Sequence, residues 1–132
     1  MIYRSPDLVP WDAERWPNFK AREFACKHCG ECYDDPRTMD GLQVARYAVG
    51  APFRINSAHR CHVHNHAVGG APRSQHLKLA VDVSLRGHDR HKLRRALILA
   101  GFTGIGLYTS FIHVDLGPKR SWYGKGARAS WH

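Results

Sequence analysis

The sequence predicts one domain that mixes α-helices with β-strands. The prediction rests on a length of 132 residues, on two segments with apolar residues at helical spacing, and on several short segments of alternating apolar and polar residues. A chain of this length buries about two thirds of its unfolded surface, so it needs no disulfide or metal to fold. Its apolar runs are far shorter than the ~20 residues of a membrane span, so no membrane partner is expected.

The predicted elements follow one another without a linker, inside a single domain of residues 1–132. Residues 1–20 hold three prolines and are expected to form an irregular arm, or short helical turns, that packs on the rest. Helices are predicted at 36–49 and 89–100, because each segment has helical apolar spacing and a glycine directly after it. Strands are predicted at 53–57, 80–84, 105–108 and 111–116.

Two of the predicted strands carry potential metal ligands on one face. Side chains alternate along a strand, so Asp82 points away from the valines beside it, and His113 and Asp115 point away from their aliphatic neighbours. A buried carboxylate must be paired or bound to a metal, because an unpaired charge is too costly. With His76 nearby in sequence, His76, Asp82 and His113 form a set that holds zinc and leaves a fourth position for water.

Two alternatives compete with zinc at this point. His113 can be a core histidine hydrogen-bonded to Asp115, and the same ligands can hold non-haem iron. Iron-binding cupins place H-x-D first and a distant histidine after it, whereas only the terminal His132 follows HVD here. One zinc ion per chain is therefore favoured.

Five motifs that occur in order resemble those of the zinc D-Ala-D-Ala metallopeptidases. They are SAHR, HNHAVGGAPRSQH, AVD, GIGLY and FIHVDLGPKRSW, and the resemblance covers roughly residues 19–124. That family contains peptidoglycan carboxypeptidases, dipeptidases and phage endopeptidases, and it is related in fold to the Hedgehog signalling domain. The resemblance implies an α+β fold with a catalytic core at residues 21–124. It also implies a central antiparallel sheet, flanked by helices, whose concave face holds the zinc.

The resemblance implies a role for each residue that matches a family motif. It places the zinc on His76, Asp82 and His113. It implies that Arg60 contacts a carbonyl or carboxylate group of the substrate. The residues expected to bind substrate are Ser57, Arg60, Ser74 and Gln75.

Two features depart from the family pattern. His76 and Asp82 enclose five residues where the family has six and a glycine, so a tighter loop is expected. Ser110 stands where several relatives carry an acid, which leaves Asp115 as the candidate general base for metal-assisted amide hydrolysis. Arg60 would then stabilise the oxyanion. The alternative role for Asp115 is to orient a metal ligand or Arg60.

The expected function is zinc-dependent hydrolysis of peptidoglycan stem peptides, by a monomeric carboxypeptidase or endopeptidase of phage or prophage type. The first residues lack a secretory signal pattern, so synthesis in the cytoplasm and action on the cell wall after release are expected. A net charge of +9 suits an acidic wall polymer. The basic residues are dispersed, so no specific nucleic-acid partner is expected. The alternative is a non-catalytic, Hedgehog-like zinc-containing module that binds the wall or a ligand.

A second rival is a structural zinc or nucleic-acid module built on CKHCGEC. The chain has four cysteines, namely Cys26, Cys29, Cys32 and Cys61. A C-x-x-C pair is half of a zinc site, and Cys61, His28 or His62 could complete it. A zinc ribbon needs a second close pair, however, and none stands at the expected interval. Buried free thiols are the competing interpretation.

Two further histidines lie near the motifs. In the family pattern His64 and Asn65 belong to the segment H-N-x-x-V-G-G, so they are expected to shape the loop over the cleft. His59 lies between the serine and the arginine of SAHR, and it is expected at the surface.

Overall fold

A computed structural model describes residues 1–71 and 74–132. The described residues form both strands and helices, which confirms the α+β class. The strands are β1 (Ile2–Tyr3), β2 (Cys32–Tyr33), β3 (Ile55–Ser57), β4 (Val81–Ser84), β5 (Gly104–Leu107), β6 (Phe111–Asp115) and β7 (Arg120–Tyr123). The helices are α1 (Pro36–Val49), α2 (His62–Ala67) and α3 (Arg90–Leu99). Positions 72 and 73 of the motif HNHAVGGAPRSQH lie outside the described residues.

Five strands form the larger sheet, in the order β3-β4-β6-β5-β7. Neighbouring strands are antiparallel from β3 to β5, whereas β7 pairs with β5 in parallel. The expected antiparallel sheet therefore has one parallel edge. The short strands β1 and β2 form a separate antiparallel pair, which joins the start of the chain to the segment before α1.

The two long helices begin and end where local chemistry favours it. Helix α1 has the predicted bounds, because the Asp35 side chain accepts the Arg37 N–H at 3.2 Å and Gly50 adopts a left-handed conformation at φ 71°. Helix α3 is one residue shorter at each end than predicted. Asp89 lies just before it as its N-cap and accepts two backbone N–H groups at 3.0 and 3.1 Å.

The sheet and helices α1 and α3 share one hydrophobic core. Its fully buried members from these elements are Leu42, Val81, Val83, Leu93, Leu97, Ile112 and Val114. Each such side chain contributes about 1.5–3 kcal/mol by leaving water. The apolar faces predicted for β4 and β6 are therefore confirmed. Asp82 and His113 lie on the opposite face of the sheet, away from these helices.

The N-terminal arm, residues 1–20, supplies two aromatic side chains to this core. The side chains of Trp16 and Phe19 are buried, and the Trp16 indole N–H donates to Asp40 of α1 at 2.9 Å. The arm contains a short 3₁₀ turn at Pro6–Leu8, as the prediction allowed, and strand β1, which was not predicted. None of the described helices is long and apolar enough to cross a membrane.

Candidate metal centre

The three predicted ligands meet on the face of the sheet that is turned away from the core. Asp82 on β4 and His113 on β6 are direct partners in the antiparallel register. His76 lies in the 3₁₀ turn that precedes β4. The Nδ1 atom of His113 is 3.1 Å from Asp82 Oδ1 and 3.2 Å from His76 Nε2. His76 Nε2 is in turn 3.2 Å from the same Asp82 oxygen.

These separations fit a tetrahedral zinc ion. Ligand atoms about 2.0–2.1 Å from a tetrahedral zinc lie about 3.3 Å from one another. The three observed separations are 3.1, 3.2 and 3.2 Å. Two imidazole nitrogens and a carboxylate oxygen this close need a shared cation or protons between them, because their lone pairs repel. The five-residue loop between His76 and Asp82 therefore brings the ligand atoms together despite its shortness.

Hydrogen bonds on the far side of each imidazole direct the correct nitrogen toward the metal position. His76 Nδ1 lies 2.6 Å from the Ala58 carbonyl oxygen and must donate to it, which leaves Nε2 with its lone pair. His113 Nε2 lies 2.6 Å from Asp115 Oδ2 and donates there, which leaves Nδ1 for the metal. Both rings are buried. The sheet and loop thus fix the tautomers that zinc requires.

Each carboxylate oxygen of Asp115 accepts two hydrogen bonds from the protein. Its Oδ2 accepts hydrogen bonds from His113 Nε2 at 2.6 Å and Arg120 Nη2 at 2.8 Å. Its Oδ1 accepts from Arg120 Nη1 at 2.8 Å and from the Gly117 N–H at 2.9 Å. Only 1% of the residue is exposed.

This environment favours the orienting role of Asp115 over the role of general base. Burial raises the pKa of Asp115, but hydrogen bonds from His113 and Arg120 outweigh that effect and hold the pKa well below its usual range. A general base needs a pKa near the working pH and an oxygen within reach of the attacking water. Asp115 has a low pKa, and the cavity over the metal centre is lined by other residues.

The carboxylate of Asp82 is held in its ionised form. Burial raises the pKa of Asp82, but hydrogen bonds from His113 and His76 outweigh it and lower that pKa to about 2. A metal ligand must be deprotonated. Asp82 is therefore ready to bind a cation across the neutral pH range.

A cavity of about 560 Å³ opens over the three ligands. Three residues predicted to bind substrate, Arg60, Ser74 and Gln75, line it. Ser57 does not belong to the described lining, although it is the register partner of Asp82 on β3. The structure thus brings together the predicted ligands and three of the four predicted substrate-binding residues.

A comparison with protein families decides the assignment. A family model described as Peptidase M15 matches residues 17–115, which is more than half of the chain. The chain belongs to the Peptidase M15 family. No curated protein sequence matches it. M15 peptidases are zinc metallopeptidases, so the chain belongs with hydrolases that cleave peptides, and the metal centre above has the donor set that this chemistry requires.

In this M15 peptidase Arg60 is positioned at the cavity by contacts on several sides. Its backbone N–H donates to the His76 carbonyl at 2.6 Å, and Nη2 donates to Ser74 Oγ at 3.1 Å. Its Nε is buried and has no hydrogen-bond partner among the described residues. Burial lowers the pKa of Arg60, and the nearby Asp82 opposes that shift. The Arg60 side chain lines the cavity, where a guanidinium can bind an anionic or carbonyl oxygen of a ligand.

Arg120 is a site residue that the sequence analysis missed. In the sheet, Gly104 of β5 lies between Asp115 of β6 and Arg120 of β7. A Cβ on Gly104 would collide with both the Asp115 carboxylate and the Arg120 guanidinium. The missing side chain therefore allows the bidentate Arg120–Asp115 pair to form, and this pair holds the carboxylate that orients His113.

Trp122 is a second cavity residue that the sequence alone did not indicate, and it too reaches the site across a glycine of β5. The next row across the sheet runs from His113 through Gly106 to Trp122. A Cβ on Gly106 would meet the indole of Trp122. With no side chain there, the ring centroids of Trp122 and His113 lie 5.2 Å apart, and Trp122 lines the cavity. The sequence signal was G-x-G at the two-residue period of a strand.

Aromatic side chains form one wall of the cavity. Tyr108 stacks on Phe111 with ring centroids 4.4 Å apart, and the Trp122 indole N–H donates to the Tyr108 hydroxyl at 3.0 Å. Because that hydroxyl accepts from the indole, its own proton is available to a substrate. Among the described lining residues, the predicted metal ligand Asp82 is the one carboxylate.

Proposed function

We propose that this M15 peptidase hydrolyses peptide bonds in peptidoglycan stem peptides, at the D-Ala-D-Ala bond or an adjacent cross-link. One observation carries the proposal. Arg60, with an unpaired buried donor, lines the same cavity as the ligands His76, Asp82 and His113. A short peptide with a carboxylate or carbonyl close to the scissile bond suits such a cavity. The resemblance to the D-Ala-D-Ala metallopeptidases supplies the substrate class.

Zinc held by the three ligands would polarise the scissile carbonyl and lower the pKa of a water molecule toward ~7. Arg60 binds a carbonyl or carboxylate oxygen of the substrate, and where that oxygen belongs to the scissile carbonyl it stabilises the oxyanion. The Tyr108 hydroxyl, which accepts from Trp122, has its own proton free for a hydrogen bond to the bound peptide. Asp115 keeps His113 in the tautomer that presents Nδ1. The aromatic wall limits access of bulk water.

A second candidate function is a non-catalytic, Hedgehog-like module that binds the wall or another ligand through the same centre. It is favoured by the described lining of the cavity, in which Asp82 is the one carboxylate and Asp115 is fully engaged. Such a protein would bind peptides without cleaving them.

Mass spectrometry of digestion products separates these functions. Purified peptidoglycan and a synthetic stem peptide ending in D-Ala-D-Ala are incubated with the zinc-loaded protein, with and without chelator. Release of D-alanine or a cleaved cross-link, lost with chelator and in His113→Ala, supports hydrolysis. Intact peptides in every sample, together with measurable binding, would overturn the peptidase proposal in favour of the binding module.

The same assay distinguishes a carboxypeptidase from an endopeptidase. The stem peptide is compared with its C-terminal amide, which lacks the terminal carboxylate. If Arg60 pairs with that carboxylate, the amide is cleaved much more slowly, and Arg60→Ala reduces cleavage of the acid more than of the amide. Equal cleavage of both peptides assigns Arg60 to a carbonyl oxygen, as expected for an endopeptidase.

The proposed substrate also determines where the protein acts. Peptidoglycan lies outside the cytoplasm, so we propose action in the periplasm or at the cell surface, after release or delivery of the protein by a phage-type system. A net charge of +9 favours attraction to acidic wall polymers. A monomer is sufficient for this chemistry, because one chain supplies all three ligands.

A further inference from the structure

Three cysteine sulfurs meet at a second place in the molecule. Cys26 and Cys29 lie on the loop after the first core aromatic residues, and Cys61 is the N-cap of α2. The Sγ atoms of these three residues all lie within 4.8 Å of one another, and each is a free thiol. Sulfur ligands about 2.3 Å from a tetrahedral zinc are about 3.8 Å apart. The cluster therefore has the size of a zinc site.

The loop around Cys26 turns backbone N–H groups toward sulfur. The Cys26 N–H donates to the Glu31 carbonyl at 2.7 Å, and the Gly30 N–H donates to the Cys26 carbonyl at 2.8 Å. Gly30 has φ 82°, which favours glycine in this tight turn. The Cys61 N–H donates to Cys26 Sγ at 3.4 Å. Such donors stabilise a thiolate, which is the form that binds metals.

The closeness of the three sulfurs also favours a bound cation. Sulfurs within 4.8 Å of one another would repel once they ionise, and a cation between them would relieve that repulsion.

His64 is the candidate for a fourth ligand, because Cys61-x-x-His64 repeats the spacing of Cys26-x-x-Cys29. Its backbone N–H donates to Cys61 Sγ at 3.3 Å, and its ring stacks on that of His28 with centroids 5.9 Å apart. Its ring nitrogens are not among the ligand atoms that lie within 4.8 Å of one another, so the His64 ring would have to turn toward the sulfurs to complete the site.

Cys32 does not belong to this cluster. Its thiol faces the Gly30 carbonyl oxygen at 3.6 Å. It lines a small separate cavity with Trp11 and Met39 on the core side of the loop. Cys32 therefore offers a control for loss of a cysteine that lies close in sequence but outside the cluster.

We propose that Cys26, Cys29 and Cys61 bind a second, structural zinc ion, and that His64 turns in as the fourth ligand. Each thiol gives up its proton on binding. The ion would join the loop at residues 26–31 to the segment that begins at Cys61 and leads to the catalytic ligand His76. A further contact between these segments already exists, because His59 Nε2 lies 2.7 Å from Glu31 Oε1.

Zinc content of the full chain, purified under reducing conditions without chelator, tests the proposal. The wild type is expected to hold two equivalents, His113→Ala and Cys29→Ser one each, and the double variant none. Cobalt substitution adds a readout that does not depend on activity. Bound cobalt should show the near-ultraviolet thiolate charge-transfer band, which remains in His113→Ala and disappears in Cys29→Ser.

Control variants, and a test for free thiols, show whether the second ion depends on this cluster alone. Cys32→Ser should keep both ions and the band, and His64→Ala should bind the second ion at least tenfold more weakly. The proposal is overturned if the wild type holds a single ion that His113→Ala removes, if the band survives in Cys29→Ser, or if Cys32→Ser loses it equally. A disulfide among the three cysteines in the protein as purified, with no second ion, would also overturn it. Unchanged affinity in His64→Ala would overturn the choice of His64.

Discussion

Replacing Asp115 by asparagine distinguishes an orienting residue from a general base. The two oxygens of Asp115 accept four hydrogen bonds, from His113, Arg120 twice and Gly117. Asparagine keeps the shape but replaces one oxygen by an NH₂ group. In either orientation that group faces two of the four donors, so two hydrogen bonds to a buried charge are lost.

The expected cost follows from these contacts. Hydrogen bonds to charged groups are worth about 1.5–3 kcal/mol each. The Arg120 side chain is 36% exposed, so water can hydrate it once its partner is removed, and the cost lies at the lower end of this range. We therefore expect Asp115→Asn to lower the free energy of unfolding by roughly 3 kcal/mol, the sum of two such hydrogen bonds. Loss of the acceptor for His113 Nε2–H should also weaken zinc binding about 10–100-fold.

Two measurements test this reasoning. Urea unfolding in the presence of chelator gives the stability of the metal-free chain, and competition with a coloured chelator gives zinc affinity. Arg120→Lys is the matched control, because it keeps the charge beside Asp115 but loses the bidentate geometry, so it should show a smaller loss of both quantities. If Asp115→Asn retains stability and zinc affinity but loses turnover, Asp115 is the base and the orienting role is refuted.

Three further predictions concern the site and the surface. Arg60→Ala should keep its zinc and lower turnover of a stem peptide by about 10²–10³-fold, the usual effect of removing an oxyanion donor, and a change of a few fold in steady-state kinetics would contradict this. Gly106→Ala should lower the free energy of unfolding in urea by about 1–3 kcal/mol, because the new Cβ would meet the Trp122 indole. Gly69→Ala is the comparison, because its Cβ would lie in open space and the change tests backbone strain alone. Binding to purified walls should weaken steeply between low and high salt, while hydrolysis of a short peptide should change little; equal salt dependence would rule out a separate electrostatic contribution from the surface.

The strand pattern predicted much of the site because its information is local. Alternation along β4 and β6 was enough to place Asp82 and His113 on the face opposite the apolar core, and the structure makes them register partners. Gly50 likewise marked the end of α1 in the sequence, and the structure gives it the left-handed conformation of a C-cap. These features depend on the two-residue alternation of a strand and on hydrogen bonds between residues close in sequence, so they can be predicted from a short segment.

The missed features depend on contacts between distant segments. Arg120 and Trp122 reach the site only because β7 lies in parallel beside β5, and the sequence gives no pairing partner for a strand. His59 was expected at the surface, but it is 2% exposed, with its two ring nitrogens 2.6 Å from the Lys78 carbonyl and 2.7 Å from Glu31. Helix α2 has six residues, too few for a periodic apolar pattern to emerge.

The three predicted metal ligands are positioned in two different ways. Asp82 and His113 lie on adjacent strands, where the sheet's backbone hydrogen bonds fix their separation. His76 comes from a segment outside the sheet and is positioned through two contacts, to the Ala58 carbonyl and to the Arg60 N–H. Any change that loosens this segment should therefore affect His76 and Arg60 together. We therefore expect such a change to weaken metal binding and substrate binding together, while Asp82 and His113 keep their register on the sheet.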